Sequence, residues 1–334
     1  MPVRSPSWPR RTLYGLVIST SVLALTEIGL RLGGVGPAYL SSRLGRWQTH
    51  QGLKNRRMYG TREPHDFILS TNADGLRTAH SPSRTAGLPR VALMGDSNVF
   101  GWGIGNHQTL AAQTEARLQE RGHAVEIINA GQPGYSTAQV SWLFQETLAA
   151  YTPDLTIVFL SMHDHNRALV SDSETWRGAQ GPRATVRVLL AKHLRIYEFL
   201  RRQIYPQYDT PQLMPDDPSE SARVRRVSGS ERAERLREMR DLASEWGGVI
   251  ALGLMPDVSD LSQNMGADLY PRHGQSWAEA WSVLTGNDMF NLRDCCPGEG
   301  EAYVFSFDHG HMNAGGNEAA SHALTRALEI RLGL

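Results

Sequence analysis

A three-layer α/β/α sandwich around a mainly parallel sheet, preceded by an apolar helix, is the fold that this 334-residue sequence predicts. Three observations carry the prediction. Short apolar runs recur at residues 90–94, 125–128, 154–160 and 249–254, and continuous runs of that kind mark strands covered on both faces. Stretches with apolar residues at helical spacing alternate with them, at 109–118, from Ser228 onward and at 318–332. Segments rich in Gly, Asp, Asn and His follow the strand ends, which is where open parallel sheets place their ligands.

Taken from the N-terminus, Arg4, Arg10 and Arg11 precede an apolar stretch over 13–30 that is interrupted only by small or hydroxyl residues and by Glu27 near its end. A basic flank followed by such a run is an export signal or a single membrane anchor with its N-terminus in the cytoplasm. The run is close to the lower limit for spanning a bilayer, and Val22-Leu23-Ala24 offers a small-residue cleavage site. No polar cleavage region follows and Arg31 flanks the run, which favours the uncleaved anchor. The sequence thus divides into an anchor or signal peptide over 1–32, a polar, turn-rich spacer over 33–85, and a globular domain over 86–334 with a helical insertion at about 167–247.

Within the insertion, Val186, Leu189, Leu190, Tyr197, Leu200 and Ile204 line one side of a helix over 184–205, which meets a Pro-rich breaker at 206–218. Packing against the domain is the expected role of this stripe, and a lid or membrane-surface contact is the alternative. A second helix begins at Ser228-Gly-Ser-Glu231, whose spacing suits a capping box, and turns Leu236, Met239, Leu242 and Trp246 inward. Farther on, a segment that also holds Asp288 carries Trp277, Trp281 and Phe290, whose rings suit stacking on a sugar, although the spacing of the two tryptophans equally fits a helix core.

Composition narrows the function classes. The 34 basic residues balance 34 acidic ones, so there is no electrostatic reason to expect nucleic acid as a partner. The two cysteines, Cys295 and Cys296, are adjacent and define no disulfide framework.

Gly95-Asp96-Ser97-Asn98 stands between the first strand and the first helix of the domain, which makes Ser97 a candidate nucleophile. Near the C-terminus, Asp308-His-Gly-His311 leads into the last helix, and residues three apart can be presented by one compact turn. Serine catalysis needs an imidazole to take the hydroxyl proton and a carboxylate to hold its tautomer, and both are available there. The bland alternative is that Asp308 caps the helix and His311 is a surface residue.

The order of these blocks, with Asn129-Ala-Gly131 between them, resembles the SGNH (GDSL-type) hydrolases, which act mostly as esterases, acetyl-esterases and lipases. The resemblance covers roughly 59–334. Asn72-Ala-Asp-Gly-Leu-Arg77 and Phe100-Gly-Trp-Gly103 are similar to the bacterial membrane-anchored branch. It implies a flavodoxin-like α/β/α fold with Ser97, Asp308 and His311 as catalytic triad. It also implies an oxyanion hole that includes the N–H groups of Ser97 and Gly131. No Gly-x-Ser-x-Gly surrounds Ser97, which argues against the α/β-hydrolase fold.

One block departs from the family. Where Gly-x-Asn-Asp is expected, the chain reads Ser161-Met-His163-Asp164, so an imidazole replaces the amide that donates to the oxyanion. A neutral imidazole has one N–H and a protonated one has two, so His163 can serve in either state. Asn166 is a substitute donor if the loop is shifted. The clustered residues His163, Asp164, His165, Asp308, His309 and His311 also suit a zinc site. Such a site leaves Ser97 and Gly131 idle, so no metal and no cofactor are expected.

The sequence-based expectation is therefore a serine esterase acting on O-acyl, above all O-acetyl, groups of an envelope or exported polysaccharide. It is held in a bacterial cytoplasmic membrane with its catalytic domain on the periplasmic or extracellular side. An O-acyltransferase on the same scaffold, and a catalytically weak carbohydrate-binding assembly protein, are the alternatives.

Overall fold

The computed structural model describes residues 8–33, 56–59, 66–159, 162–168, 170–178, 182–204, 224–255, 289–292, 295–296, 303–305 and 308–334. The chain divides into two compact units, Met1–Gln48 with Thr175–Met214, and Thr49–Glu174 with Pro215–Leu334.

The first unit contains α1 (Trp8–Leu32). The second begins with a two-stranded antiparallel sheet, β1 (Arg56–Tyr59) and β2 (Asp66–Leu69). It continues through β3 (Arg90–Gly95), the one-turn helix α2 (Ser97–Phe100), α3 (Leu110–Glu120), β4 (Glu126–Gly131), α4 (Thr137–Glu146) and β5 (Leu155–Phe159). The short strand β6 (Arg167–Ala168) and the helix α5 (Asp172–Gly178) lead to α6 (Pro182–His193) and α7 (Arg195–Ile204), which belong to the first unit. The chain returns through β7 (Val224–Arg225), α8 (Gly229–Ser244), β8 (Val249–Leu254), β9 (Met289–Asn291), the hairpin β10 (Val304–Phe305) and β11 (Asp308–Met312), and α9 (Ala314–Leu332).

The central sheet has the order β4-β3-β5-β8-β9 and is parallel throughout. Side chains alternate across its strands. Val91, Leu93, Ile157 and Phe159 point to the face that α3 and α9 cover, where Leu118, Leu324 and Leu328 complete a buried cluster. Helices α4 and α8 pack together as the other pair. Because β3 lies between β4 and β5, the connections leaving it diverge to either side, and a crevice opens at its C-terminal end. Ser97 emerges there.

Several expected boundaries shift for identifiable reasons. The predicted spacer reaches into the second unit, which begins at Thr49, and Phe67, Leu69 and Leu76 within it are buried. The single helix expected over 184–205 breaks at Leu194 into α6 and α7. Ser228 caps α8 by accepting the Glu231 N–H at 3.1 Å, while Ala243 takes the buried position expected for Leu242. The last helix starts at Ala314, four residues before the stretch expected at 318–332. Gly316 belongs in that first turn, since a Cβ there would lie 2.3 Å from the Tyr303 carbonyl oxygen. The breaker at 206–218, Ser161, Trp277, Trp281 and Asp288 lie outside the described residues.

Candidate active site

Ser97 sits at the start of α2, just past the end of β3, and is 7% exposed. Asp96 forms the N-cap, its carboxylate accepting the Asn98 N–H at 3.0 Å. This cap fixes the turn. Across the crevice, His311 lies on β11, and its Nε2 is 2.8 Å from Ser97 Oγ. Hydroxyl and imidazole are thus in direct hydrogen-bond contact. Asn98 Oδ1 accepts the Met312 N–H at 3.1 Å and so ties the serine turn to the strand that carries the histidine. The spacing of Gly-Asp-Ser gave no signal for this role of Asn98.

Asp308 opens the same strand, opposite Phe305 in the hairpin. The position of its side chain lies outside the described residues.

Gly131 is the last residue of β4 and pairs with Gly95. It must be glycine for steric reasons, because a Cβ would lie 2.2 Å from the Phe100 nitrogen. Its N–H donates to Asn129 Oδ1 at 3.1 Å, so service to an oxyanion requires that bond to be shared or released. Three residues farther on, Gly134 holds a positive φ of 76° in open space.

His163 lies in the 3-10 turn Met162–His165, and that turn is firmly held. Asp164 is fully buried, accepting the Thr137 N–H and Oγ1–H and the Arg232 Nε–H, each at 2.7 Å. A metal at this carboxylate would have to displace a buried arginine, and among the described residues no cluster of three metal-ligating side chains occurs. Next to it, Asp172 accepts from Ser136 Oγ at 2.6 Å and from Arg226, whose guanidinium also donates to the Gly134 carbonyl at 3.1 Å. One buried network thereby fixes both the His163 turn and the loop after β4.

Asn166 lies against the His163 ring. Its amide nitrogen is 3.2 Å from His163 Nδ1, a contact that suits a ring proton on Nε2. Burial holds the His163 pKa below the ordinary histidine value, with Asp96 and Asp164 opposing that shift and Arg226 and His311 adding to it. A neutral imidazole with one outward N–H is what these partners favour.

Arg77 explains the block Asn72-Ala-Asp-Gly-Leu-Arg77. Asn72 Oδ1 accepts the Asp74 and Leu76 N–H groups at 3.1 and 3.0 Å, which closes the turn that delivers Arg77. The buried guanidinium donates to the carbonyls of Phe100 and Gly101 at 2.9 and 2.5 Å, to Ile104 O, and to Asn106 Oδ1 at 2.9 Å. Burial lowers its pKa to about 9, so it remains charged at neutral pH. Arg77→Met leaves several buried carbonyls without a donor and is expected to cost on the order of 3 kcal/mol. Denaturant unfolding measures that loss, and a midpoint within error of the parent would contradict the role.

A nucleophile turn at the switch point of a parallel α/β/α sheet, with an imidazole on its hydroxyl, is the arrangement of a serine hydrolase. The family model described as GDSL-like lipase/acylhydrolase matches residues 93–319, and the chain belongs to that family. It is accordingly a serine enzyme that hydrolyses ester bonds. Among curated protein sequences no match was found. Solved structures similar in fold include a lipase/acylhydrolase from Enterococcus faecalis (14% identity, 73% of this chain and 97% of that one, TM-score 0.46). The psychrotrophic esterase EstA from Pseudoalteromonas is similar at 11% identity over 73% of this chain and 99% of that one, TM-score 0.44. A catalytic mutant of an acetylxylan esterase from Geobacillus stearothermophilus is similar at 13% identity over 71% and 93%, TM-score 0.44.

Proposed function

We propose that this esterase removes O-acyl groups from an envelope or exported polysaccharide, using Ser97 as nucleophile, His311 as general base and Asp308 as its orienting carboxylate. The single observation that supports the mechanism best is the 2.8 Å contact between His311 Nε2 and Ser97 Oγ. Ser97 Oγ attacks the acyl carbon as its proton passes to His311, which returns that proton to the departing sugar oxygen. Water then attacks the acyl-enzyme by the same relay, releasing the acid and restoring the serine. The Ser97 N–H, the Gly131 N–H and His163 Nε2–H stabilise the oxyanion. The direct test supplies an O-acetylated polysaccharide and measures free acetate. Appearance of the acetyl group on an added oligosaccharide in place of free acetate would make the chain a transferase.

The same reading puts α1 across a bacterial cytoplasmic membrane and the catalytic unit outside it. Arg11–Leu32 is long and apolar enough to cross a membrane, its most apolar 18 residues having a mean hydropathy of 1.6. Leu16, Ile18 and Leu25 are more than half exposed, left uncovered by the described residues, and suit lipid. The full chain is expected to stay with membranes through a carbonate wash and to be released by detergent. A variant lacking residues 1–34 is expected in the soluble fraction with unchanged turnover of a short-chain ester. An insoluble product that detergent does not rescue would argue that this stretch belongs to the core.

A further inference from the structure

We propose that the helix pair α6–α7 lies flat on the outer surface of the bilayer, clamped to the end of α1 by Glu27 and Arg31. The proposal rests on the reading of α1 as a membrane span. Glu27, the one acidic residue in the apolar stretch, accepts the Arg195 N–H through Oε1 and the Ile196 N–H through Oε2, both at 3.0 Å. It therefore caps the N-terminus of α7. Arg31 donates to Glu27 Oε1 at 2.8 Å and to the His193 carbonyl at 2.7 Å, the last residue of α6. The pair thus satisfies the backbone groups that the break at Leu194 sets loose on both sides.

Geometry then limits where the two helices can go. With 12 and 10 residues, α6 and α7 are about 18 and 15 Å long, too short for a hydrocarbon core of about 30 Å. Their junction is fixed beside the last turns of α1, where the apolar run gives way to charge and the bilayer to its headgroups. Val186, Leu189, Phe199 and Leu200 are 41–54% exposed, an apolar surface left uncovered by the described residues around it. Residues 182–204 carry six basic side chains, Arg183, Arg187, Lys192, Arg195, Arg201 and Arg202, against Glu198 alone. Apolar faces with a basic excess, tethered to a span, match an acyl-chain boundary bearing lipid phosphates. Where a lone helix would swivel, this arrangement gives the anchor a second point of attachment.

The test uses the full chain with Cys295→Ser and Cys296→Ser, carrying a fluorophore on Leu16→Cys or on Leu200→Cys. It is reconstituted in vesicles of phosphatidylcholine and phosphatidylglycerol with nitroxide lipids labelled at the headgroup or deep in the acyl chain. Position 16 is expected to be quenched by the deep label. Position 200 is expected to be quenched severalfold more by the headgroup label than by the deep one, and adding Glu27→Ala should weaken that quenching while leaving position 16 unchanged. Quenching at 16 with none at 200 overturns the surface proposal and leaves the span standing. Failure at 16 overturns the span itself. Quenching at 200 that survives Glu27→Ala unchanged overturns the clamp.

Discussion

Ser97→Ala is expected to lower kcat for a short-chain ester by on the order of 10⁴-fold or more, and His311→Ala by a similar factor. The reason is that the two side chains act as one unit through the Oγ–Nε2 hydrogen bond at 2.8 Å. Without the imidazole the hydroxyl is a weak nucleophile, and without the hydroxyl the imidazole has nothing to activate. The double variant should therefore lose little beyond either single one. Steady-state kinetics on the three purified variants measure this, with thermal unfolding to confirm that each is folded. Full activity in Ser97→Ala would sink the serine mechanism, and additive losses would mean that His311 acts elsewhere.

The second large effect concerns the position where the chain departs from its family. Removing one oxyanion donor costs on the order of 10²- to 10³-fold in kcat, and His163→Ala is expected to fall in that range. His163→Asn should recover much of the loss, because an amide restores an N–H donor in the same place. The Asn166 amide nitrogen lies 3.2 Å from Nδ1, a contact that suits a neutral ring donating through Nε2, so wild type and His163→Asn should share the same alkaline limb of activity against pH. The acid side discriminates through stability. Because the folded His163 pKa lies below the unfolded value of about 6.5, its contribution is complete above that pH and is lost as pH falls through the folded pKa. Thermal midpoints of wild type should decline there more steeply than those of His163→Asn. Unchanged kcat in His163→Ala would remove the residue from the mechanism and turn attention to Asn166.

The parallel sheet was legible in the sequence because strands buried on both faces read as unbroken apolar runs, and Val91, Leu93, Ile157 and Ile250 are indeed fully buried. The pairing of Ser97 with His311 was legible because each stands where a strand meets a loop or a helix. What could not be read are contacts made by polar side chains across long sequence separations. Asn98 bridging to Met312, Asn317 Oδ1 accepting the Leu110 N–H at 3.1 Å, and Arg77 holding the turn after Ser97 all depend on chain crossings that no local pattern encodes. Gly131 shows a second limit, a local one. Its place at the strand end was evident, yet the Asn129 side chain that takes up its N–H was not. Glu27 looked like a blemish in an apolar run until its partners, more than 160 residues away, gave it a purpose.

The most direct test of the central claim treats the purified full chain with a fluorophosphonate and locates the adduct by mass spectrometry. A serine activated by His311 predicts a single adduct on Ser97, formed rapidly in wild type and almost not at all in His311→Ala. No labelling of Ser97, or labelling that proceeds as fast without His311, would contradict it.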